Sequence, residues 1–246
     1  MEIKMLKFNL SLSGLCFGVE TRFESVKNYC KNYITESRDT VGSVAVSEEK
    51  IDREIAATDE DVTREYAESV CIYREIAELL PDFDRAVFHG AAITYKDKGF
   101  IFTAPSGTGK STHIKLWRKY LGDSVDIVNG DKPILMADTD SVSVHSSPWC
   151  GKEGWNKNRS AELSAICIIQ RGLKNRIKKI SGGDALTYLI KQIYRPKNPL
   201  AFAKTLELFD RILKKVPVFV LECDMSEEAV KTSFEAMTGE EYKKAP

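Results

Sequence analysis

Residues 99 to 117 read G-F-I-F-T-A-P-S-G-T-G-K-S-T-H-I-K-L-W, with a lysine and two hydroxyls set directly behind a pair of glycines. Ser106, Gly107, Thr108 and Gly109 are small enough for the N–H groups of a turn to point inward at an anion. Lys110, Ser111 and Thr112 then open a segment with helical apolar spacing at Ile114 and Trp117, and the start of a helix adds its dipole to the same attraction. The chemistry that this spacing suits is polyphosphate binding. Lys110 is expected to reach the β- and γ-phosphates, and the Ser111 hydroxyl to ligate a magnesium ion held between them. The pattern G-x-x-x-x-G-K-[ST] departs at its first position, which is Ala104; alanine is tolerable there where φ is negative. Asp131 follows Lys110 by 21 positions, about one helix plus one strand, so its carboxylate is expected to face the loop and hold the same magnesium ion.

Phosphoryl transfer asks a protein mainly for positioning and charge neutralisation, and the acceptor side needs a group that takes a proton. Asp131 is a candidate for that base. His113 reads as a helix-face residue close to the metal site, and His145 has no partner that the sequence identifies. In the stretch 146–155, rich in glycine, aromatics and paired charges, Lys152 is a candidate cation for the transferring group and Glu153 for orienting the hydroxyl. Trp149 and Trp155 would either wall an acceptor pocket or cap the core. Arg159, Arg171 and Arg195 are candidate charge clamps, and the sequence does not choose among them.

The elements that must position these residues follow from periodicity. Residues 2–12 alternate apolar and polar side chains with one slip in phase and, with Gly14 and the run 15–19, predict a β-hairpin. Helical spacing follows at Val26, Tyr29, Cys30, Tyr33 and Ile34, and a short strand is expected over 41–46. Residues 48–61 are charge-rich and read as strand or loop. A long amphipathic helix is expected over 61–80, ended by Pro81. Residues 1–83 therefore read as an N-terminal α+β subdomain, with a soft boundary at 81–84 and no recognisable chemistry of its own. From there a nucleotide-binding core, 84–246, is expected. It opens with a strand over 86–95 and a tight polar turn at 96–99, so that strand should be antiparallel to the one feeding the glycine loop. Further strands are expected over 125–128, 134–136, 142–144, 165–170 and 216–221, and helices over 183–193, 200–213 and 227–237.

The totals bound the partners. Apolar residues make up 43% and charged residues 29% of 246, the proportions of a soluble globular protein. Thirty-six basic residues balance thirty-six acidic ones, so net charge points to neither nucleic acid nor an anionic membrane. Arg176, Lys178 and Lys179 form the tightest basic cluster and read as a solvated edge. The six cysteines are scattered without zinc spacing and read as reduced thiols. A secretory leader is not expected, since 8–19 carries Asn9, Ser11 and Ser13, nor is a membrane span. The expected location is cytoplasmic. Oligomeric state is open.

With His89-Gly90 before the hairpin, S-G-T-G-K-S-T at 106–112 and Asp131 on the next strand, the core resembles the HPr kinase/phosphorylase and phosphoenolpyruvate carboxykinase group of phosphate-loop proteins. It is similar in particular to small HPr-kinase-like proteins, some of which modify serines in small molecules or ribosomally made peptides. The resemblance covers about residues 86 to 195. It implies an α/β fold with a mixed-sheet phosphate-loop core, and an ATP-dependent, magnesium-requiring kinase acting on a hydroxyl of a small molecule, peptide or protein. Lys110, Asp131 and His89 would then be catalytic, residues 106–112 would bind the nucleotide, and Ser111 and Asp131 would hold the metal. In that family the strand carries two adjacent aspartates, one for metal and one as base; here the first is Gly130, so only Asp131 carries over. The glycine-rich signature that HPr kinases place after those aspartates is missing, which argues against HPr as the substrate. Two alternatives are a non-catalytic ATP-binding regulator and a carboxykinase-type lyase.

Overall fold

Ser13 and Gly14 both adopt positive φ, 50° and 77°, the backbone of a tight hairpin turn that joins β1 (Leu6–Leu12) to β2 (Leu15–Thr21). The structure is a computed structural model and describes residues 5–245, so the Ile3 end of the expected alternation lies outside the described residues. After α1 (Glu24–Tyr29) come β3 (Ile34–Thr35) and β4 (Gly42–Ala45), giving a sheet of order β3-β1-β2-β4 in which β4 runs parallel to β2. Residues 48–61 are corrected from strand or loop: Glu48–Ala56 form α2, capped by the Ser47 hydroxyl. This helix buries Ile51 and is held to α3 (Arg64–Leu79) by Arg64–Asp52 at 2.6 Å, Lys50–Glu75 at 2.6 Å and an Arg74–Glu54 pair. Pro81 follows in a 3-10 turn over Leu80–Phe83.

The expected strand over 86–95 is two strands. β5 (Arg85–Val87) and β6 (Ala91–Tyr95) are separated by Phe88-His89-Gly90, where a Cβ on Gly90 would come within 3.1 Å of Phe88 and Ile101 side-chain atoms. At that break the chain changes partner, from β9 (Ile134–Ala137) for β5 to β7 (Lys98–Thr103) for β6. The turn at Lys96-Asp97 has φ 48° and 63° and makes β6 and β7 (Lys98–Thr103) an antiparallel hairpin. Then come α4 (Lys110–Leu121), β8 (Val125–Asn129), β9 (Ile134–Ala137), β10 (Val142–His145), β11 (Ser160–Arg171) and β12 (Arg176–Ile180). The chain closes with α5 (Gly182–Leu189), α6 (Pro199–Lys215), β13 (Val218–Cys223) and α7 (Glu227–Thr238).

These strands form one curled mixed sheet of order β5-β9-β10-β11-β7-β6-β8, extended by β13 and β12. β11 turns it: one edge pairs with β7, while the other pairs with β10 at its start and β13 at its end. Because β7, β11 and β13 are parallel, Thr103, Arg171 and Cys223 end at one rim, where α/β sheets open a binding crevice. Apolar residues cover both faces. Ile101, Ile166 and Val220 pack with Leu189 and Phe209 on one side, and Phe100, Phe102 and Leu221 with Trp117 and Phe234 on the other. A further cluster runs from Leu10, Phe17 and Ile72 to Val87, Ile134 and Trp149, joining the two sheets. Among the described residues, no helix is long and apolar enough to cross a membrane.

Candidate functional site

The strand end at Thr103 passes into Ala104-Pro105 and then a loop that only glycine could complete. Gly107 and Gly109 have φ of 74° and 124°, and a side chain at either would meet nothing within 4 Å, so conformation rather than space demands glycine there. Gly109 is the residue before the first turn of α4, so that turn's free N–H groups face the concavity of the loop. Lys110 folds back over the loop, its Nζ 2.9 Å from the carbonyl oxygen of Ala104. Arg171, at the end of β11, donates to the carbonyls of Gly107 and Thr108 from outside.

Opposite the loop, the end of β8 makes a second fixed turn. Asn129 is wholly buried; its Oδ1 accepts from the N–H of Asp131 at 2.9 Å and of Lys132 at 2.7 Å, and its Nδ2 donates to the Ser147 carbonyl at 2.9 Å. The Asp131 carbonyl in turn accepts from Gly90 N–H at 3.0 Å. This pairing brings His89 beside Asp131, with Nε2 3.2 Å from Oδ1, while Lys132 Nζ lies 3.2 Å from Oδ2. His89 Nδ1 meets Gln192 Oε1 at 2.7 Å, and its main-chain N–H meets the Gln192 carbonyl at 2.6 Å. Burial alone would push the Asp131 carboxyl up, but the His89 hydrogen bond and the Lys132 charge outweigh it and hold it below the ordinary carboxylate range. Burial pulls the Lys110 ammonium below its ordinary range; the Asp131 charge works against that and the Lys132 charge adds to it. His89 and Lys132 therefore flank one carboxylate, and the Lys110 ammonium, turned to the Ala104 carbonyl, is near enough to feel its charge.

Gly130 explains why there is one carboxylate and not two. A Cβ there would lie 2.9 Å from the Cys150 carbonyl oxygen and 3.3 Å from Trp155, because the 149–156 loop folds back and takes the Gly130 N–H at 2.8 Å. Gly151, on the same loop, packs against Asp131 itself.

The other candidates are dispersed. Lys152 is 90% exposed and extends toward Glu60 at 3.5 Å, and Glu153 pairs with Lys115 of α4 at 3.2 Å, so both sit at the rim with their charges engaged elsewhere. Trp149 is a core residue, donating to the Ser69 carbonyl at 3.1 Å; Trp155 is half-buried under the Lys115 ammonium. Of the three arginines, Arg171 reaches the loop, Arg159 pairs with Asp126 at 2.8 Å, and Arg195 lies over the Phe202 ring. His113 is corrected from a residue near the metal site to a core residue. It is buried, its Nε2 accepts from the Trp117 indole at 3.1 Å and meets Ser233 Oγ at 3.0 Å, and burial pushes its pKa down to about 4. His145 faces Ser143 Oγ at 2.8 Å, and burial and the Arg85 cation take it down to about 4. Lys132, Gln192 and Asn129 were not singled out by the sequence. Lys132 had a signal, a cation next to the predicted carboxylate; Gln192, 103 positions from His89, had none.

No family model matches the chain, and no curated protein matches it. Among solved structures it is similar to the Hpr(Ser) kinase/phosphatase from Coxiella burnetii, at 9% identity and a TM-score of 0.36, covering 62% of this chain and 93% of that one. At that score the reading of the site rests on the chain's own residues. A hollow of about 710 Å³ elsewhere, between α6 and the turn at 80–83, has its charges paired as Lys204–Asp82 and Arg211–Asp84 and shares no residue with this cluster. Among the described residues no three His, Cys, Asp or Glu side chains converge as a metal cage. The hydroxyl of Ser111 and the carboxylate of Asp131 are hard oxygen donors of the kind that would suit magnesium.

Proposed function

We propose that the chain is an ATP-dependent, magnesium-requiring kinase of the HPr-kinase-like type that phosphorylates a hydroxyl, with a serine side chain in a small molecule, peptide or protein as the preferred acceptor. The observation that carries this reading is the convergence of Lys110, Asp131, His89 and Lys132 under a glycine loop built for an anion. Residues 106–112 would cradle the triphosphate with main-chain N–H groups, and Lys110 would exchange the Ala104 carbonyl for phosphate oxygens. Ser111 and Asp131 would hold magnesium, which when bound neutralises the charge on the bridging phosphates. The acceptor oxygen attacks the γ-phosphorus, the bond to the β–γ bridging oxygen breaks, and ADP carries away that electron pair. The hydroxyl proton has to leave on this side. Asp131 and His89, with Oδ1 and Nε2 3.2 Å apart, are the groups that would take it. The six cysteines are free and buried, which supports a cytoplasmic setting.

The test is transfer from γ-labelled ATP to a panel of serine-containing acceptors. Lys110→Ala and Asp131→Asn should each abolish product while the melting curve stays that of the wild type; wild-type turnover in either variant overturns the assignment. The backbone that closes over Gly130 favours one second reading, a regulator that binds ATP without transferring phosphate. Saturable nucleotide binding with no labelled product from any acceptor would select it.

A further inference from the structure

Lys132 is held more firmly than a surface lysine beside a carboxylate needs to be. Its N–H is fixed by the buried Asn129 Oδ1 at 2.7 Å, and its carbonyl accepts from the buried Ser147 Oγ at 2.7 Å. The next residue's carbonyl accepts from Phe88 N–H at 3.0 Å, so the whole turn is anchored to the chain that carries His89. From that anchored backbone the side chain, 28% exposed, lays its ammonium 3.2 Å from Asp131 Oδ2. The packing at Gly130 leaves no room for another acid there. The ammonium therefore shares its one close carboxylate with His89 and, on the reading above, with a metal ion.

We infer that Lys132 is a second phosphate-contacting cation, placed to take the terminal phosphate of a bound triphosphate on the side of Asp131 away from His89. The inference rests on the triphosphate reading of the glycine loop. With the Asp131 carboxylate engaged by a metal ion, the ammonium would need another anion, and a bound phosphate would supply it. A lysine ammonium suits this task, as a compact point charge with three rotatable donors. Lys110 and Lys132 would then grip the transferring group from two elements, the start of α4 and the end of β8.

A diphosphate lacks the group that Lys132 would touch, so the test compares two ligands on the full chain. Calorimetry with magnesium ADP and with the magnesium complex of the non-hydrolysable β,γ-imido analogue of ATP would be run on wild type, Lys132→Gln and Lys132→Arg, after melting curves establish that each is folded. The expected result is that Lys132→Gln loses about tenfold or more in affinity for the triphosphate analogue and keeps its affinity for ADP, with Lys132→Arg restoring part of the difference. An equal loss for both ligands, or no loss for either, overturns the inference, because Lys132 would then only neutralise Asp131. If the wild type binds neither ligand, the nucleotide reading itself fails and takes this inference with it.

Discussion

At the scale of single residues, two glycines of the site are required for opposite reasons. Gly109 needs its positive φ and has open space around it, whereas Gly130 needs the space: an added Cβ would press on the Cys150 carbonyl at 2.9 Å. That carbonyl belongs to backbone already tied to Gly130 N–H through Trp155, so it yields only by moving the 149–156 loop. Gly130→Asp, the substitution that would supply the missing second acid, is expected to destabilise the chain by about 1–3 kcal/mol through overpacking and to bring no gain in transfer rate. Urea unfolding followed by Trp fluorescence measures the first, and the labelled-ATP assay the second. A stable variant with faster transfer would mean that the loop opens readily and that the site was built for two carboxylates.

Secondary-structure elements differ in what holds them, and that decides how much the sequence could disclose. The strand, glycine loop and α4 are set by local rules, since two glycines at positive φ, a helix start and apolar spacing sit within twenty residues. The antiparallel hairpin of β6 and β7 is legible for the same reason, through the polar turn at Lys96-Asp97. α2 is not, because it has only Ile51 and Ile55 as apolar anchors and is secured by ion pairs to α3 some 12 to 25 positions away. The break between β5 and β6, which is what presents His89, comes from a change of strand partner that no local pattern records. Arg171 shows the same limit from the other side: three arginines looked equivalent, and only the register of β11 beside β7 brings this one to the Gly107 and Thr108 carbonyls. Those contacts hold the loop by its outward-facing oxygens, so its N–H groups stay turned inward. Arg171→Met, which keeps the stem, is expected to weaken magnesium nucleotide binding by about tenfold and to leave the nucleotide-free melting temperature within about 1 °C, as its side chain is exposed. Unchanged affinity by calorimetry would show that the loop keeps its shape unaided.

The molecule as a whole joins its two sheets through buried polar contacts as well as apolar ones. Tyr33 OH lies 2.6 Å from Ser146 Oγ, and the Trp149 indole donates to Ser69, so the site's 146–156 loop is backed by the first eighty residues. Two of the three histidines, buried His113 on α4 and half-buried His145 at the end of β10, have pKa values near 4 against an ordinary 6.5, His113 through burial and His145 through burial and Arg85. Both are neutral in the folded chain. Between about pH 6.5 and pH 4 the unfolded chain therefore binds protons at these positions that the folded chain refuses, and stability must rise with pH across that window and fall on acidification. Carboxylates held low, such as Asp126, Asp131 and Asp138, act in a separate window, because their contribution is present above their ordinary 3.8 and is lost only as pH drops below it. The urea midpoint should accordingly drop from pH 7 to pH 5. His145→Gln should remove roughly half of that drop, and pairing it with His113→Gln should remove most of what is left. His113 also receives the Trp117 indole N–H, so the single His145 variant is the safer comparison if the double one folds poorly. A midpoint that does not change between pH 7 and pH 5 in the wild type would mean that both rings reach water in the native state, and that the core under α4 is looser than its packing shows.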